Sequence, residues 1–255
     1  MRSKTMLRIG GLLLPALAWS VGASAQTSVN ERRPSAADGV IAIDVPSGTL
    51  DIKGWANQEL QVTGTVTPAE AKLQITGDAR NLQVGLTPLP NVLPGGNLEI
   101  RVPAGCTLRV KGMKTAIRAS GVTGSLAAES VEGDMIVNDA ATVELKTVTG
   151  KIELDGSARS GKVHAVSGAI SVKNGTGEIS ASSVGGPIVV SGDKFSRVRL
   201  STVNGSAEFD GQLGTSAALS VESVSGTVKV VLPSGTGADV ALSTMSGKIE
   251  GQLDN

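Results

Sequence analysis

A short phrase recurs along this chain: a small residue, usually Ser or Thr, then Val-x-Gly, then a strand of alternating apolar residues. The copies end at Gly124, Gly133, Gly150, Gly168, Gly186, Gly205, Gly226 and Gly247, the last with Met245 in place of Val. After a first step of about nine residues the spacing runs from about 17 to 21. That is the range of repeat arrays in which each unit is one supersecondary element. Such a repeat constrains architecture strongly and chemistry hardly at all.

Aligned on the Gly, the copies form columns. Two residues before it stand Val122, Val131, Val148, Val166, Val184, Val203, Val224 and Met245. Two after it stand Leu126, Met135, Ile152, Ile170, Ile188, Ala207, Val228 and Ile249. Upstream, Val143 with Leu145, Val198 with Leu200, Leu219 with Val221 and Val240 with Leu242 form a second alternating strand. Each repeat thus reads as two short strands joined at a Val-x-Gly corner, with the Val expected to point inward. The hydroxyl column (Ser130, Thr147, Ser183, Thr202, Ser223, Thr244) is placed to bond the corner backbone or its stacked neighbours.

One such unit buries only four or five small side chains, so it needs neighbours to stack on. The expected fold is all-β: a single-stranded β-solenoid of roughly 18–21-residue coils, a right-handed β-helix by the crossover rule. At ~4.8 Å per rung the repeats span roughly 34 Å. The rival is an antiparallel β-sandwich in which each Val-x-Gly is a hairpin turn.

Residues 1–25 read as a signal peptide. Arg2, Lys4 and Arg8 precede an apolar run from Ile9 to Trp19, and Ala23-Ser24-Ala25 supplies a cleavage site before Gln26. The run is too short to span ~30 Å of hydrocarbon. Residues 26–38 are polar and read as a disordered leader. Residues 39–255 form the solenoid domain, less regular over 39–115 and regular over 116–255. In the first part, strands such as Ile41 with Ile43 and Leu98, Ile100 and Val102 are separated by turn signals. The proline-rich stretch 87–96 is the longest irregular piece.

Removing the three basic residues of the leader peptide leaves 20 basic against 23 acidic residues, a net charge near −3. That balance argues against nucleic acid, which needs a basic footprint. The one cysteine, Cys106, cannot form an internal disulfide, which suits a bacterial envelope better than a disulfide-dense eukaryotic surface. Trp55, Phe195 and Phe209 are the aromatic residues after residue 25, so the core rests on Val, Ile, Leu and Ala.

At this point the pattern resembles a bacterial β-strand-repeat family of unknown function whose members are labelled putative adhesins. The resemblance rests on Gly48-Thr49-Leu50-Asp51-Ile52-Lys53-Gly54-Trp55, on Leu98-Glu99-Ile100-Arg101-Val102-Pro103, and on the repeated Ser/Thr-Val-x-Gly-x-Ile. Val230-Val231-Leu232-Pro233 and Ser246-Gly247-Lys248-Ile249 complete it. It covers the chain from about Val40 to Ile249. It implies an exported β-solenoid of the cell envelope and no catalytic residues. There is no sorting signal at Asp254-Asn255, no barrel-forming carboxy-terminal domain and no lipid-anchoring cysteine, so a periplasmic or released protein is expected.

Few residues offer chemistry. His164 alternates with Val163 and is expected on the surface, without a nucleophile or orienting partner. Cys106 follows a turn and reads as a half-buried small residue. Glu153 with Asp155, and Glu208 with Asp210, lie two apart on strands and face one side, within the spacing that glycosidases use. Lysines such as Lys151 and Lys173 nearby favour a solvated face, and no aromatic platform accompanies the acids. Asn174-Gly175-Thr176 and Asn204-Gly205-Ser206 match glycosylation sequons but coincide with turns. No catalytic, cofactor-binding or metal-ligating residue is assigned, and no cofactor. The expected function is a non-enzymatic, adhesin-like structural or binding module of the envelope. The partner class is an envelope protein or surface polymer, without a membrane span after signal cleavage. The alternatives are an envelope-stress sensor or regulator and a polysaccharide-active β-helix enzyme.

Overall fold

The computed structural model describes residues 26–156, 158–233 and 237–254. The signal peptide, 1–25, lies outside the described residues, as does Asn255. Among the described residues there are twenty strands and no helix. They begin with β1 (Thr27–Pro34), β2 (Val40–Asp44), β3 (Ser47–Trp55), β4 (Glu59–Thr67), β5 (Leu73–Asp78), β6 (Asn81–Leu86) and β7 (Gly95–Pro103). The middle of the chain forms β8 (Thr107–Lys111), β9 (Lys114–Ser120), β10 (Ser125–Glu132), β11 (Met135–Asn138), β12 (Thr142–Thr149), β13 (Ile152–Asp155) and β14 (Ser160–Ala165). Three long strands follow, β15 (Ile170–Ser183), β16 (Ile188–Thr202) and β17 (Ala207–Ser223), then β18 (Val228–Pro233), β19 (Asp239–Thr244) and β20 (Ile249–Asp254).

The strands stack on two faces. Face A runs β5, β6, β2, β8, β10, β12 and β14, then through the second halves of β15, β16 and β17 to β19. Face B runs β1, β4, β7, β3, β9, β11 and β13, then through the first halves of β15, β16 and β17 to β18 and β20. From β10 onward the chain passes alternately between the faces in about seven turns of about 19 residues, a β-solenoid. Met135 faces Ile152, and the ladder continues through Ile170, Ile188, Ala207, Val228 and Ile249 in steps of 17, 18, 18, 19, 21 and 21 residues. These are the repeat intervals of the sequence.

Stacking is what makes one coil stable. A coil such as 142–155 buries Val143, Leu145, Ile152 and Leu154, each worth about 1.5–3 kcal/mol. Ordering the backbone costs about 1–2 kcal/mol per residue, so a lone coil has too little to hold it. Parallel pairing above and below supplies the rest. Where the coils lengthen, Phe195 and Phe209 fill the interior with rings 5.5 Å apart. In the last described coil Val240 and Ile249 are exposed.

The amino-terminal part departs from sequence order. The pair β6 and β7 stacks beneath β2 and β3, whereas β8 and β9 stack above them. The lower end finishes in antiparallel pairings, β5 on β6, β4 on β7 and β1 on β4. The segment read as a disordered leader is therefore ordered over most of its length. Thr27–Pro34 pairs residue for residue with β4, from Thr27 opposite Val66 to Pro34 opposite Glu59. Its charged side chains, Glu31, Arg32 and Arg33, and the terminal Pro34, which has no N–H to donate, suit an outermost strand. Composition alone mistook an edge for disorder.

The corner also corrects the sequence reading. The hydroxyl residue points inward: Ser130, Thr147, Ser183, Thr202 and Ser223 are buried. The Val beside it points out, as Val131, Val148, Val184, Val203 and Val224 are exposed and Val166 is half-buried. The Gly column holds seven members, not eight. A Cβ on Gly150, Gly168, Gly186, Gly205, Gly226 or Gly247 would collide with the carbonyl of the column glycine one coil below, and one on Gly133 with the carbonyl of Thr115. Gly124 belongs to the opposite corner, against Gly105 and Cys106, and its buried neighbour Val122 is not part of the exposed row. The first step of about nine residues is half a coil.

Candidate functional site

The outward Val column is the most unusual feature of the surface. Met113, Val131, Val148, Val184, Val203, Val224 and Met245 are seven of the twelve large apolar residues exposed among the described residues, and all occupy one corner. With Val166 they form a ridge of eight rungs, roughly 34 Å long at ~4.8 Å per rung. Single exposed apolar residues are ordinary; a contiguous row of them is uncommon on a soluble monomer.

The corner is rigid. The buried hydroxyls of Ser183, Thr202 and Ser223, and that of half-buried Thr244 in the last coil, accept hydrogen bonds from the backbone N–H of Gly186, Gly205, Gly226 and Gly247 at 2.9, 3.1, 2.9 and 3.0 Å. Backbone bonds tie successive rungs, including Ser167 N–H to the Val148 carbonyl and Asn204 N–H to the Val184 carbonyl, both 2.9 Å. The ridge is thus presented without the ordering cost that weakens flexible binding surfaces.

Three hollows meet beside the amino-terminal end of this ridge, and Asp44 lines all of them. One, of about 620 Å³, lies between the ridge residues Met113, Val131, Val148 and Val166 and the polar row Lys111, Glu129, Lys146 and His164. A second, of about 430 Å³, is walled by Pro46 and the proline-rich loop with Leu89, Val92 and Leu93. The third, of about 450 Å³, has a mixed lining, with Ile43, Val84 and Leu86 beside polar and charged groups, and spreads over β5, β6, β2 and β8.

The residues singled out in the sequence fall as follows. His164 is exposed as expected, but it has a partner: its Nδ1 lies 2.8 Å from Ser182 Oγ. Ser182 is one coil further on, so an offset of 18 residues was the signal that would have found it. The ladder neighbour on the other side is Lys146, which is no orienting acid for a Ser–His pair. Cys106 is fully buried rather than half-buried, and burial pushes its thiol up to about 11.

The carboxylate pairs do share an outward side of face B. Glu153 is gripped by Lys151 and Lys173 at 2.7 and 2.6 Å, which draws its pKa down to about 2. A glycosidic general acid needs the opposite shift. Asp155 accepts a hydrogen bond from Asn174 at 2.7 Å, and Glu208 pairs with Lys229 at 2.6 Å. The acids are rungs of charge ladders. Asn174 lies within β15, with φ 50° at a register irregularity between Val172 and Gly175, and Asn204 occupies the Gly205 corner, where its Oδ1 accepts from Ser225 at 2.7 Å. Among the described residues no three His, Cys, Asp or Glu are placed to hold a metal ion.

Solved structures share this architecture. A putative adhesin from Parabacteroides distasonis superposes with a TM-score of 0.52 at 13% identity, over 91% of this chain and 98% of that one. A putative adhesin from Bacteroides fragilis superposes with a TM-score of 0.50 at 12% identity, also over 91% and 98%. The chain has the fold of these bacterial putative adhesins. No family model matches it, and no curated protein matches it in sequence. At such identities the likeness carries the fold and leaves site residues to be argued from this chain alone.

Proposed function

We propose that this protein is an exported, non-enzymatic binding module of the bacterial envelope, whose contact surface is the apolar corner ridge. The observation that carries the reading is the row of exposed Val and Met side chains held on a rigid corner, where a soluble monomer would place polar residues. The adhesin label of the structural neighbours supports the same reading, as does the signal-peptide pattern of residues 1–25. No helix among the described residues is long and apolar enough to cross a membrane.

The partner that fits the ridge is an envelope protein presenting a complementary apolar strip. The test is affinity capture from envelope extracts on the immobilised chain from Gln26 onward, beside the triple variant Val131→Ser/Val148→Ser/Val184→Ser. A protein retained by the parent and lost by the variant, with melting unchanged, supports the reading. Nothing retained above background, or equal retention by both, overturns it.

A further inference from the structure

We infer that the hollow at the amino-terminal end of face A, with its basic rim, is a binding site for an acidic saccharide, a sugar bearing a carboxylate or phosphate. The inference rests on the binding-module reading and names a ligand class for a second surface of the module.

The hollow follows from the register. Two outward columns cross the four strands β5, β6, β2 and β8. One reads Thr76, Gln83, Ala42, Arg109, and the next reads Gln74, Gly85, Asp44, Lys111. The small residues Ala42 and Gly85 stand in the middle of the patch, and the longer side chains surround them. That arrangement makes a concavity of about 450 Å³, within the usual size of small-ligand sites.

Its rim holds a basic group, Arg109, that the ladder leaves without an acid. On several other rungs acids and bases pair across the ladder, as Lys146 does with Glu129, Lys173 with Glu153 and Lys229 with Glu208; Arg199, between Ser180 and Ser220, lacks a ladder acid as well but does not line this hollow. Arg109 cannot pair this way, because its ladder neighbours are Ala42 on one side and Ala127 on the other. Among the described residues no ion pair or side-chain hydrogen bond involves Arg109, Lys111, Gln74, Thr76 or Gln83. A guanidinium without an internal acid is the group that binds a planar oxyanion through two parallel N–H donors. Two amides and a hydroxyl on the facing rim supply the mixed donors and acceptors that sugar hydroxyls require. Asp44 beside Lys111 adds an acceptor for a sugar hydroxyl.

The test is calorimetric titration of the chain from Gln26 onward with three probes: a galacturonate oligomer, a phosphorylated galactose oligomer and a neutral galactose oligomer. Binding of either acidic oligomer but not the neutral one is expected, and the two acidic arms identify the source of the charge. Arg109→Ala should weaken it by about tenfold or more, the loss of a charge-assisted bidentate contact. Ala127→Glu should do the same with the fold intact, because it supplies Arg109 with the cross-rung acid that it lacks. Equal binding of the neutral oligomer, no binding of either acidic one, or insensitivity to both substitutions overturns the inference. The ridge variant Val131→Ser/Val148→Ser/Val184→Ser should leave saccharide binding unchanged, so this site and the protein-binding ridge fail separately. Loss of saccharide binding in that variant would contradict an independent site.

Discussion

The buried hydroxyl of Ser183 accepts a hydrogen bond of 2.9 Å from the backbone N–H of Gly186, and Val184 between them faces solvent. The same latch recurs at Thr202, Ser223 and Thr244, while Ser130 and Thr147 bond corner carbonyls instead. The latch keeps a polar atom satisfied in the interior beside an apolar residue that faces solvent.

The latch predicts an inversion of ordinary expectation. Thr202→Val removes the acceptor for the Gly205 N–H while keeping side-chain volume, and should cost about 1–3 kcal/mol. Val203→Ser, a hydrophobic-to-polar change beside it, should cost less than about 1 kcal/mol. Urea unfolding of the two variants checks the order.

The glycine ladder makes a sharper contrast between adjacent residues. A Cβ on Gly186 meets the backbone of Gly168, whereas one on Gly185 finds its nearest neighbour, the Val166 carbonyl oxygen, at 3.8 Å. Gly186→Ala should lose about 1–3 kcal/mol by overpacking against backbone that cannot move aside. Gly185→Ala should stay within about 0.5 kcal/mol of the parent in the same unfolding experiment.

Acid should weaken the ladder around Glu153. Its carboxylate is held well below the ordinary 4.5, at about 2, by Lys151 and Lys173. A folded-state pKa below the unfolded one gives stability that is present above about pH 4.5 and lost as pH falls towards about 2. Stability measured against pH should therefore show a smaller acid slope in Glu153→Gln than in the parent. Raised salt should shrink the difference, since the pair is partly exposed.

Cys106 should be silent until the chain opens. Its thiol is buried and its pKa raised to about 11, so little thiolate exists near neutral pH. A thiol reagent at pH 8 should react in denaturant and hardly at all with the native protein. Rapid native labelling would contradict the core assignment.

Much of this was legible in the residues, and the misses have physical causes. The ladder from Met135 to Ile249 could be read because β-branched and aliphatic residues recur at one-coil spacing. The facing of Val148 was misread because strict alternation was carried back through Gly150, and the corner breaks it. Thr147 and Ile152 are both inward yet five residues apart. The correct signal lay upstream, where Val143, Leu145 and Thr147 alternate on one side. The His164–Ser182 contact and the hollow around Arg109 depend on which rungs are adjacent. For the hollow that order is scrambled, since β6 stacks beneath β2 although it follows it in the chain.

The account stands most directly on the outward, one-rung-per-coil ridge. Spin labels on cysteines placed at Val131 and Val224, five rungs apart, test it in one distance measurement. The account predicts rapid labelling of both sites in the native protein and a backbone separation of roughly 24 Å at ~4.8 Å per rung. Sites closed to the label until unfolding, or a separation far from that value, would contradict it.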